Sequence, residues 1–435
     1  MRPNGTNRAR VRETLPEVTP FAPAGVEQDR AGALREPGQA AYTRRDDRRH
    51  DHPRPRVKLP LRFADFPPRV GDLENPYRPL LDEALAAHFR ITRDVFKPTR
   101  EWAHHHAAGL AMVHLHWPEG LWRGRDETQA LANVDELEGA LDICRQLGVR
   151  VAWTVHNHRH HDGVSEADER GYRLLATTAD LVICHSRWSA DWIRSTYGRR
   201  GRTIVMPIGS FGQVHPAGRP RAVVAAEVGL DPTRPIVVCA GQLRPYKGLD
   251  TAVAACRAAA GAWQLLIVGR PGPFFDLPAF EVSITGDADI VCVPEHVSNE
   301  RFGELVAAGD AVLLSYSNIT GSSVPPAAWA HATPIIASRL PYFEEVLAAR
   351  PHLGAMFTEG DPADLARAAA TVLAWPAVAV AADTAAQEAE LQWDVVTREY
   401  RRWCTWWTLN HQPLRQARRV MRLAKRLARR ARPSA

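Results

Sequence analysis

The stretch "CAGQLRPYKGLD", Cys239–Asp250, is where the reading of the fold begins. The apolar run just before it, "PIVVCAG", has the length and composition of a buried strand, and Gly241 ends it. "LDTAVAACRAAAG" then reads as a helix opened by Gly248. One strand, one glycine turn and one helix make a βα unit, and the unit recurs on both sides. Downstream come "WQLLIVG", "ADIVCVPE", "NERFGELVAAG", "DAVLLSY", "TPIIAS" and "DPADLARAAATVLAW". Upstream, "LRFADF", "YRPLLDEALAAHF", "LAMVHLHW", "VDELEGALDICRQLG", "VRVAWTVHN", "DLVICHS", "RWSADWIRSTYG" and "RTIVMPIG" alternate in the same way. Such alternation predicts an α/β chain with doubly wound parallel sheets covered on both faces. A stretch rich in Pro, Gly and Ala around 212–231 separates two series, so two domains are expected. Ligands of such sheets bind beyond the carboxyl ends of the strands, here in a cleft between facing domains.

The bulk properties agree. A chain of 435 residues has room for two to three domains. It contains no apolar run of 18 residues and no apolar stretch near the N-terminus, so neither a membrane span nor a secretory signal is expected. Six cysteines lie far apart without a CxxC pair, which fits free thiols in a reducing compartment better than disulfides or a metal site. Residues 1–58 mix Arg, Pro, Gly and Asp without apolar periodicity and are read as a disordered segment. The net charge of +6 is local, because 414–435 holds nine Arg or Lys and no acid. The rest of the chain is slightly acidic, which argues against a nucleic-acid surface and for one basic appendage.

Several residues in these loops could do chemistry. Gly241 and Gly248 permit close approach of the backbone, and Arg244 and Lys247 supply charge suited to a diphosphate; a plain surface loop with two solvated cations is the other reading. Gly269 ends the next strand. The loop "SNITGSS", Ser317–Ser323, runs into a helix with Pro325 and Pro326 in its first turn. Gly321, Ser322 and Ser323 offer amides and hydroxyls to an anion at a helix start, although a simple Ser cap needs no ligand. "HNHRHHD", His156–Asp162, has no distant Cys or carboxylate at ligand spacing, and no metal site is assigned there. "DAD", Asp287–Asp289, precedes a strand and is read as chance.

The order of these pieces resembles the donor domain of GT-B glycosyltransferases, most of all the large retaining family that includes sucrose synthases and bacterial mannosyltransferases. The resemblance covers about residues 60–410 and includes "TVHN" (154–157), "VICHS" (182–186) and "LQWDVVTREYRRW" (391–403). "HLHWPE" (114–119) and "RPYKG" (244–248) look similar to bacterial exopolysaccharide glycosyltransferases. The resemblance implies an acceptor-binding Rossmann-like domain at 59–212 and a nucleotide-sugar-binding one at 213–395. It further implies a crossover at 396–412, which leaves a basic amphipathic tail at 413–435. It implies that Gly241, Arg244, Lys247, Gly269 and the 320–323 loop hold the donor diphosphate, that His156 touches the sugar, and that no cofactor or metal is needed. The donor is expected to be a nucleotide sugar, GDP-mannose first.

The chain also departs from that pattern. Gln242 stands where the family has Arg, and its two glutamates eight positions apart are missing, with Asn318 or Ile319 and Pro326 or Ala327 in their places; Asn318, Thr320 and the Ser322–Ser323 backbone are the nearest substitutes for the sugar and ribose contacts those glutamates make. Retention or inversion is therefore open. An inverting route needs a base on the acceptor hydroxyl, for which Glu119 is the first candidate and Asp162 the second, though either carboxylate can as well cap a helix. The tail carries Val420, Leu423, Ala424, Leu427 and Ala431 on one helical face, preceded by Trp406, Trp407 and Leu409. That composition suits an anionic membrane, so the expected place is peripheral on the inner face of the cell membrane, in the cytoplasm, near a glycan or lipid-linked acceptor. A catalytically silent GT-B-fold protein that binds nucleotide sugars or glycans is the rival reading.

Overall fold

The computed structural model describes residues 61–66, 75–92, 97–158 and 165–406. The segment 1–58, Asp162 and the tail 413–435 lie outside the described residues. The first half forms β1 (Leu61–Phe66), β2 (Phe89–Thr92), β3 (Met112–His116), β4 (Arg150–Val155), β5 (Leu181–Cys184) and β6 (Arg202–Val205). The second half forms β7 (Ile236–Ala240), β8 (Gln264–Val268), β9 (Ile290–Val293), β10 (Ala311–Leu314), β11 (Ile335–Ser338) and β12 (Gly354–Phe357). All pairings within the two sheets are parallel. The orders are β2-β1-β3-β4-β5-β6 and β12-β11-β10-β7-β8-β9. The fold is the expected one: two doubly wound α/β domains.

Helices cover both faces, so central strands bury every residue and read as apolar runs rather than as alternations; all of Ile236–Ala240 is buried. In each sheet the strand order reverses once, between β1 and β3 in the first and between β7 and β10 in the second. At such a point the loops diverge to opposite faces and leave a crevice at the carboxyl ends. The candidate residues cluster at these two crevices.

One apolar cluster joins the sheets, running from Phe63 and Met112 through Met206, Ile208 and Phe211 to Val238 and Val312. After the helix Ala377–Glu390 the chain returns to the first sheet. Trp393 Nε1 donates to the Ser210 carbonyl at 2.7 Å, and Tyr400, in the helical run 398–406, places its hydroxyl 3.1 Å from His114 Nδ1. All six cysteines are free, five of them buried. Among the described residues no single helix is long and apolar enough to cross a membrane.

Candidate active site

The loop after β7 is held by glycine geometry. Gly241 has φ +99° and Gly269 φ +144°, both left-handed, and a Cβ on Gly269 would lie 2.3 Å from the Gly241 carbonyl oxygen. The loops after β7 and β8 thus touch through bare backbone, and they pair again where Leu243 meets Pro271. Gly248, φ +60°, lets the turn approach the end of β10; a Cβ there would stand 2.1 Å from the Ser315 carbonyl oxygen. Ser315 Oγ donates to the Lys247 carbonyl at 2.7 Å, and Ser317 N to the Tyr246 carbonyl at 2.8 Å. The two loops flanking the second crevice are therefore one hydrogen-bonded unit.

Lys247 sits inside that unit. It is 8% exposed, its Nζ donates to the Ala240 carbonyl at 2.9 Å, and it stands 5.5 Å from the centre of the Tyr316 ring. A Cβ at Gly241 would come within 2.9 Å of this nitrogen, so the glycine makes the ammonium's room. Among the described residues Lys247 has no carboxylate partner. Burial lowers its pKa to about 8, with Arg244 adding repulsion. Arg244 Nε is steered by Gln242 Oε1 at 2.9 Å, so the Gln that replaces the family's Arg orients a neighbouring guanidinium instead.

The loop 318–323 departs from its expected chemistry in one respect. The helix that follows, Val324–Trp329, is short, and Pro325 and Pro326 have no N–H to offer. The Val324 amide is taken by Ser322 Oγ at 3.2 Å. The helix start is thus a poor anion site. The amides of Gly321, Ser322 and Ser323 have no acceptor among the described residues, and they are the donors this loop can present. Thr320 Oγ1 accepts from His158 N at 2.9 Å, and a Cβ on Gly321 would lie 3.5 Å from His185 Cδ2, so the loop abuts the first domain. A second bridge joins the domains: Glu345 accepts from the amides of Arg187 and Trp188, at 2.7 and 2.9 Å, capping the helix Arg187–Tyr197.

Facing the loop is a set of polar side chains from the ends of β1, β3, β4 and β5. Residues 112, 114 and 116 of β3 share one face, which puts His114 and His116 beside Asp65. Arg78 donates to Asp65 Oδ2 from Nη2 at 2.7 Å and from Nε at 3.2 Å. His116 Nε2 stands 3.4 Å from Asp65 Oδ1, and His116 Nδ1 is 2.9 Å from His156 Nε2. His156 Nδ1 is 3.4 Å from His185 Nε2, and His185 Nδ1 is 2.9 Å from the Met206 carbonyl oxygen. Trp117 stacks on His156 with centroids 3.8 Å apart, held at φ +39°, a strained value for tryptophan. Tyr77 meets the edges of both His156 and His185. Burial is the largest cause lowering the pKa of His116 and of His156 well below the ordinary range and that of His185 to about 4. Atoms of Asp65, His114 and His116 lie within 4.8 Å of one another, near enough for a metal ion to bridge. The imidazole nitrogens, however, already have protein partners, His114 pairing with Thr154 Oγ1 at 2.8 Å and with Tyr400, so the trio is read as a hydrogen-bonded network.

Of the residues singled out from sequence, His156, Lys247, Arg244, Gly241, Gly269 and the 318–323 loop line these two crevices. Glu119 needs correcting. It opens the short helix Glu119–Trp122, is 4% exposed, and its Oε1 accepts from the Tyr172 hydroxyl and from Asn157 Nδ2 at 3.2 Å. A carboxylate held this way positions Asn157, next to His156, and is closed to an incoming hydroxyl. His158, from the run set aside as a metal site, bonds Ser189 Oγ at 2.8 Å and stacks on Trp192. Asp287 and Asp289 are engaged by Arg257 and Arg234 at 2.5 and 2.6 Å. Asp65, Tyr77, Arg78, His116 and His185 were missed. The alternating "HLH" at 114–116 and the His closing "VICH" were the signals, each lying at a strand's carboxyl end.

Comparison with known proteins places this geometry. Residues 234–374 match the family described as glycosyl transferases group 1. A D-inositol 3-phosphate glycosyltransferase of Nocardia farcinica is 30% identical over 181 residues, covering 39% of this chain and 40% of the relative. A GDP-mannose:glycolipid 4-beta-D-mannosyltransferase of Xanthomonas campestris pv. campestris is 26% identical over 227 residues, 52% of this chain and 60% of the relative. The chain thus aligns with about half the length of these curated relatives. A sucrose-phosphate synthase of Thermosynechococcus elongatus superposes with a TM-score of 0.60 at 18% identity, over 78% of this chain and 97% of that one. HepE of Anabaena, solved with UDP and glucose, gives 0.59 at 15%, over 78% and 98%. Two parallel sheets with these strand orders are those of the GT-B fold, and the second of them lies in the part of the chain that matches glycosyl transferases group 1.

Proposed function

We propose that the protein transfers a sugar from a nucleotide-sugar donor to a glycan or glycolipid acceptor. The observation that carries this is Lys247, a buried cation with no carboxylate partner among the described residues, at the crevice between β7 and β10. A protein keeps such a charge desolvated only where an anion arrives to meet it. The donor's diphosphate is that anion, met by Lys247, by Arg244 and by the amides of Gly321, Ser322 and Ser323. These fixed positive groups offset the charge that develops on the leaving diphosphate, so the route is metal-independent. His156, across the crevice and stacked under Trp117, approaches the sugar. GDP-mannose is the first choice of donor, on the strength of the Xanthomonas relative's name. The acceptor is a glycolipid or polysaccharide precursor at the inner membrane surface, to which the basic tail attaches the enzyme from the cytoplasm.

A specific observation keeps a second reading alive. The donor loop lacks both glutamates of the related sites, as a silent nucleotide-sugar-binding scaffold would. The deciding experiment is a thermal-shift screen of the full chain against GDP-, UDP- and dTDP-sugars, followed by product analysis with the sugar that binds. Turnover that is lost in Lys247→Met supports transfer. Saturable binding with the donor left intact supports the scaffold. No binding by any nucleotide sugar overturns both.

A further inference from the structure

The imidazoles of His116, His156 and His185 form a chain whose two ends are both acceptors. At one end the Met206 carbonyl accepts from His185 Nδ1, so that nitrogen carries hydrogen and the neutral ring's Nε2 is a lone pair. At the other end Asp65, held by Arg78, faces His116 Nε2 at 3.4 Å. That nitrogen carries hydrogen, because a lone pair opposed to a carboxylate is the costlier arrangement. His116 Nδ1 is then a lone pair, and His156 Nε2, 2.9 Å away, donates to it. The assignments from the two ends collide. His156 Nδ1 and His185 Nε2 face each other as two lone pairs, at 3.4 Å, where the hydrogen-bonded links on either side measure 2.9 Å. Three neutral rings leave one place open for a fourth proton.

We propose that the contact between His156 Nδ1 and His185 Nε2 is a proton-binding position, and that during transfer it receives the proton of the attacking hydroxyl. The second half rests on the transferase reading. In that step the acceptor oxygen bonds to the anomeric carbon while that carbon's bond to the diphosphate oxygen breaks, its electron pair leaving with the nucleoside diphosphate. The hydroxyl proton passes to His156 Nδ1 and is shared with His185 Nε2, turning the opposed lone pairs into a hydrogen bond. It leaves to solvent with the products.

Three further observations fit. His156 is half-buried, whereas His116 and His185 are 1% and 3% exposed, so entry is at the middle ring. Gly321 of the donor loop abuts His185 Cδ2, the carbon bonded to Nε2, so a bound dianion raises the proton affinity of this contact when donor is present. The groups facing the chain are Asp65 of β1, Arg78 and Tyr77 of the helix Tyr77–Leu85, His114 of β3 and Tyr400 of the returning segment. Burial, joined at His116 and His156 by repulsion from Arg78 and neighbouring imidazoles, leaves the chain neutral at rest, as a proton acceptor must be.

Histidine ring-nitrogen NMR on the full chain tests the position without any substrate. Spectra of protein labelled with ¹⁵N in the imidazoles are assigned through His116→Gln, His156→Gln and His185→Asn, the last keeping a donor for Met206. At about pH 8 we expect His185 as the Nδ1–H form and His116 and His156 as Nε2–H forms. Acidification should add a single proton whose shifts appear together on His156 Nδ1 and His185 Nε2. Adding GDP or UDP should move that step to higher pH. Finding His156 as Nδ1–H at about pH 8, or the first proton on His116, overturns the position. Where the screen yields a donor, His185→Asn should lower kcat about 100-fold and alter the acidic limb of its pH profile, with the donor KM held. A loss expressed in KM alone, with the profile unmoved, overturns the proton-accepting role. Absence of turnover with every nucleotide sugar defeats the transferase reading and this role with it, while the NMR result still decides the proton position.

Discussion

Replacing Lys247 by Met should stabilise the fold and remove donor binding at the same time. Burial brings the ammonium from its ordinary 10.5 down to about 8. At about 1.36 kcal/mol per unit, holding it charged at pH 7 costs about 3 kcal/mol. Met has nearly the same volume and no charge, but it abandons the Ala240 carbonyl, which gives back about 1 kcal/mol. The expected net gain is about 2 kcal/mol. The sign in pH follows from proton counting: between about 8 and 10.5 the unfolded chain still holds the proton that the folded one has released. Native stability therefore rises with pH through that window, and the lysine's cost is gone above it. Urea unfolding of both proteins at pH 7 and about 9.5 reads this directly. The variant should be ahead at pH 7 and lose about half of its lead or more by the higher pH. A variant less stable at pH 7, or a lead that does not shrink with pH, would refute the view of Lys247 as a desolvated cation awaiting an anion.

Other perturbations have equally definite outcomes. Gly269→Ala drives a methyl to 2.3 Å from the Gly241 carbonyl at a left-handed φ, and chemical denaturation should show a loss of about 3 kcal/mol. Thr320→Val leaves the buried His158 amide without its acceptor; a cost of about 1–2 kcal/mol and weaker nucleotide-sugar binding in titration calorimetry are expected. Glu345→Ala strips the cap that the second domain places on a first-domain helix, and small-angle scattering should report a larger radius of gyration without loss of helix signal. Deleting 413–435 should abolish sedimentation with anionic vesicles and spare turnover of a soluble acceptor; unchanged sedimentation counts against the tail as anchor.

The fold was legible because a buried parallel strand is a local signal. "PIVVCAG" and "WQLLIVG" need no partner to be recognised, and Gly241 and Gly269 mark their ends. The shorter, half-exposed pieces were not legible. β2, Phe-Arg-Ile-Thr, has no continuous apolar run, and β12 is four residues long, opens on Gly354 and is only partly buried; each lies at a sheet edge. The loop 318–323 does follow a strand, β10, yet its helix start was overvalued as an anion site, although the two prolines that remove its amides stood in the sequence. The histidine network was hidden for a different reason. Asp65, His116, His156 and His185 are far apart in the chain and meet only because β1, β3, β4 and β5 are neighbours, and strand order is not written in any one strand. Glu119 misled because a carboxylate after a strand looks the same in sequence whether or not a tyrosine such as Tyr172 is folded over it.

The return of the chain to the first sheet also has a bearing on synthesis. Tyr400 and Trp393 cover a face to which Met112 and Tyr77 contribute, so that face stays bare while the nascent chain leaves the ribosome. The first domain, although translated early, cannot be completed until the second has been made and Trp393 and Tyr400 have emerged. A nonsense mutation just before codon 393 would therefore damage the half of the molecule made first.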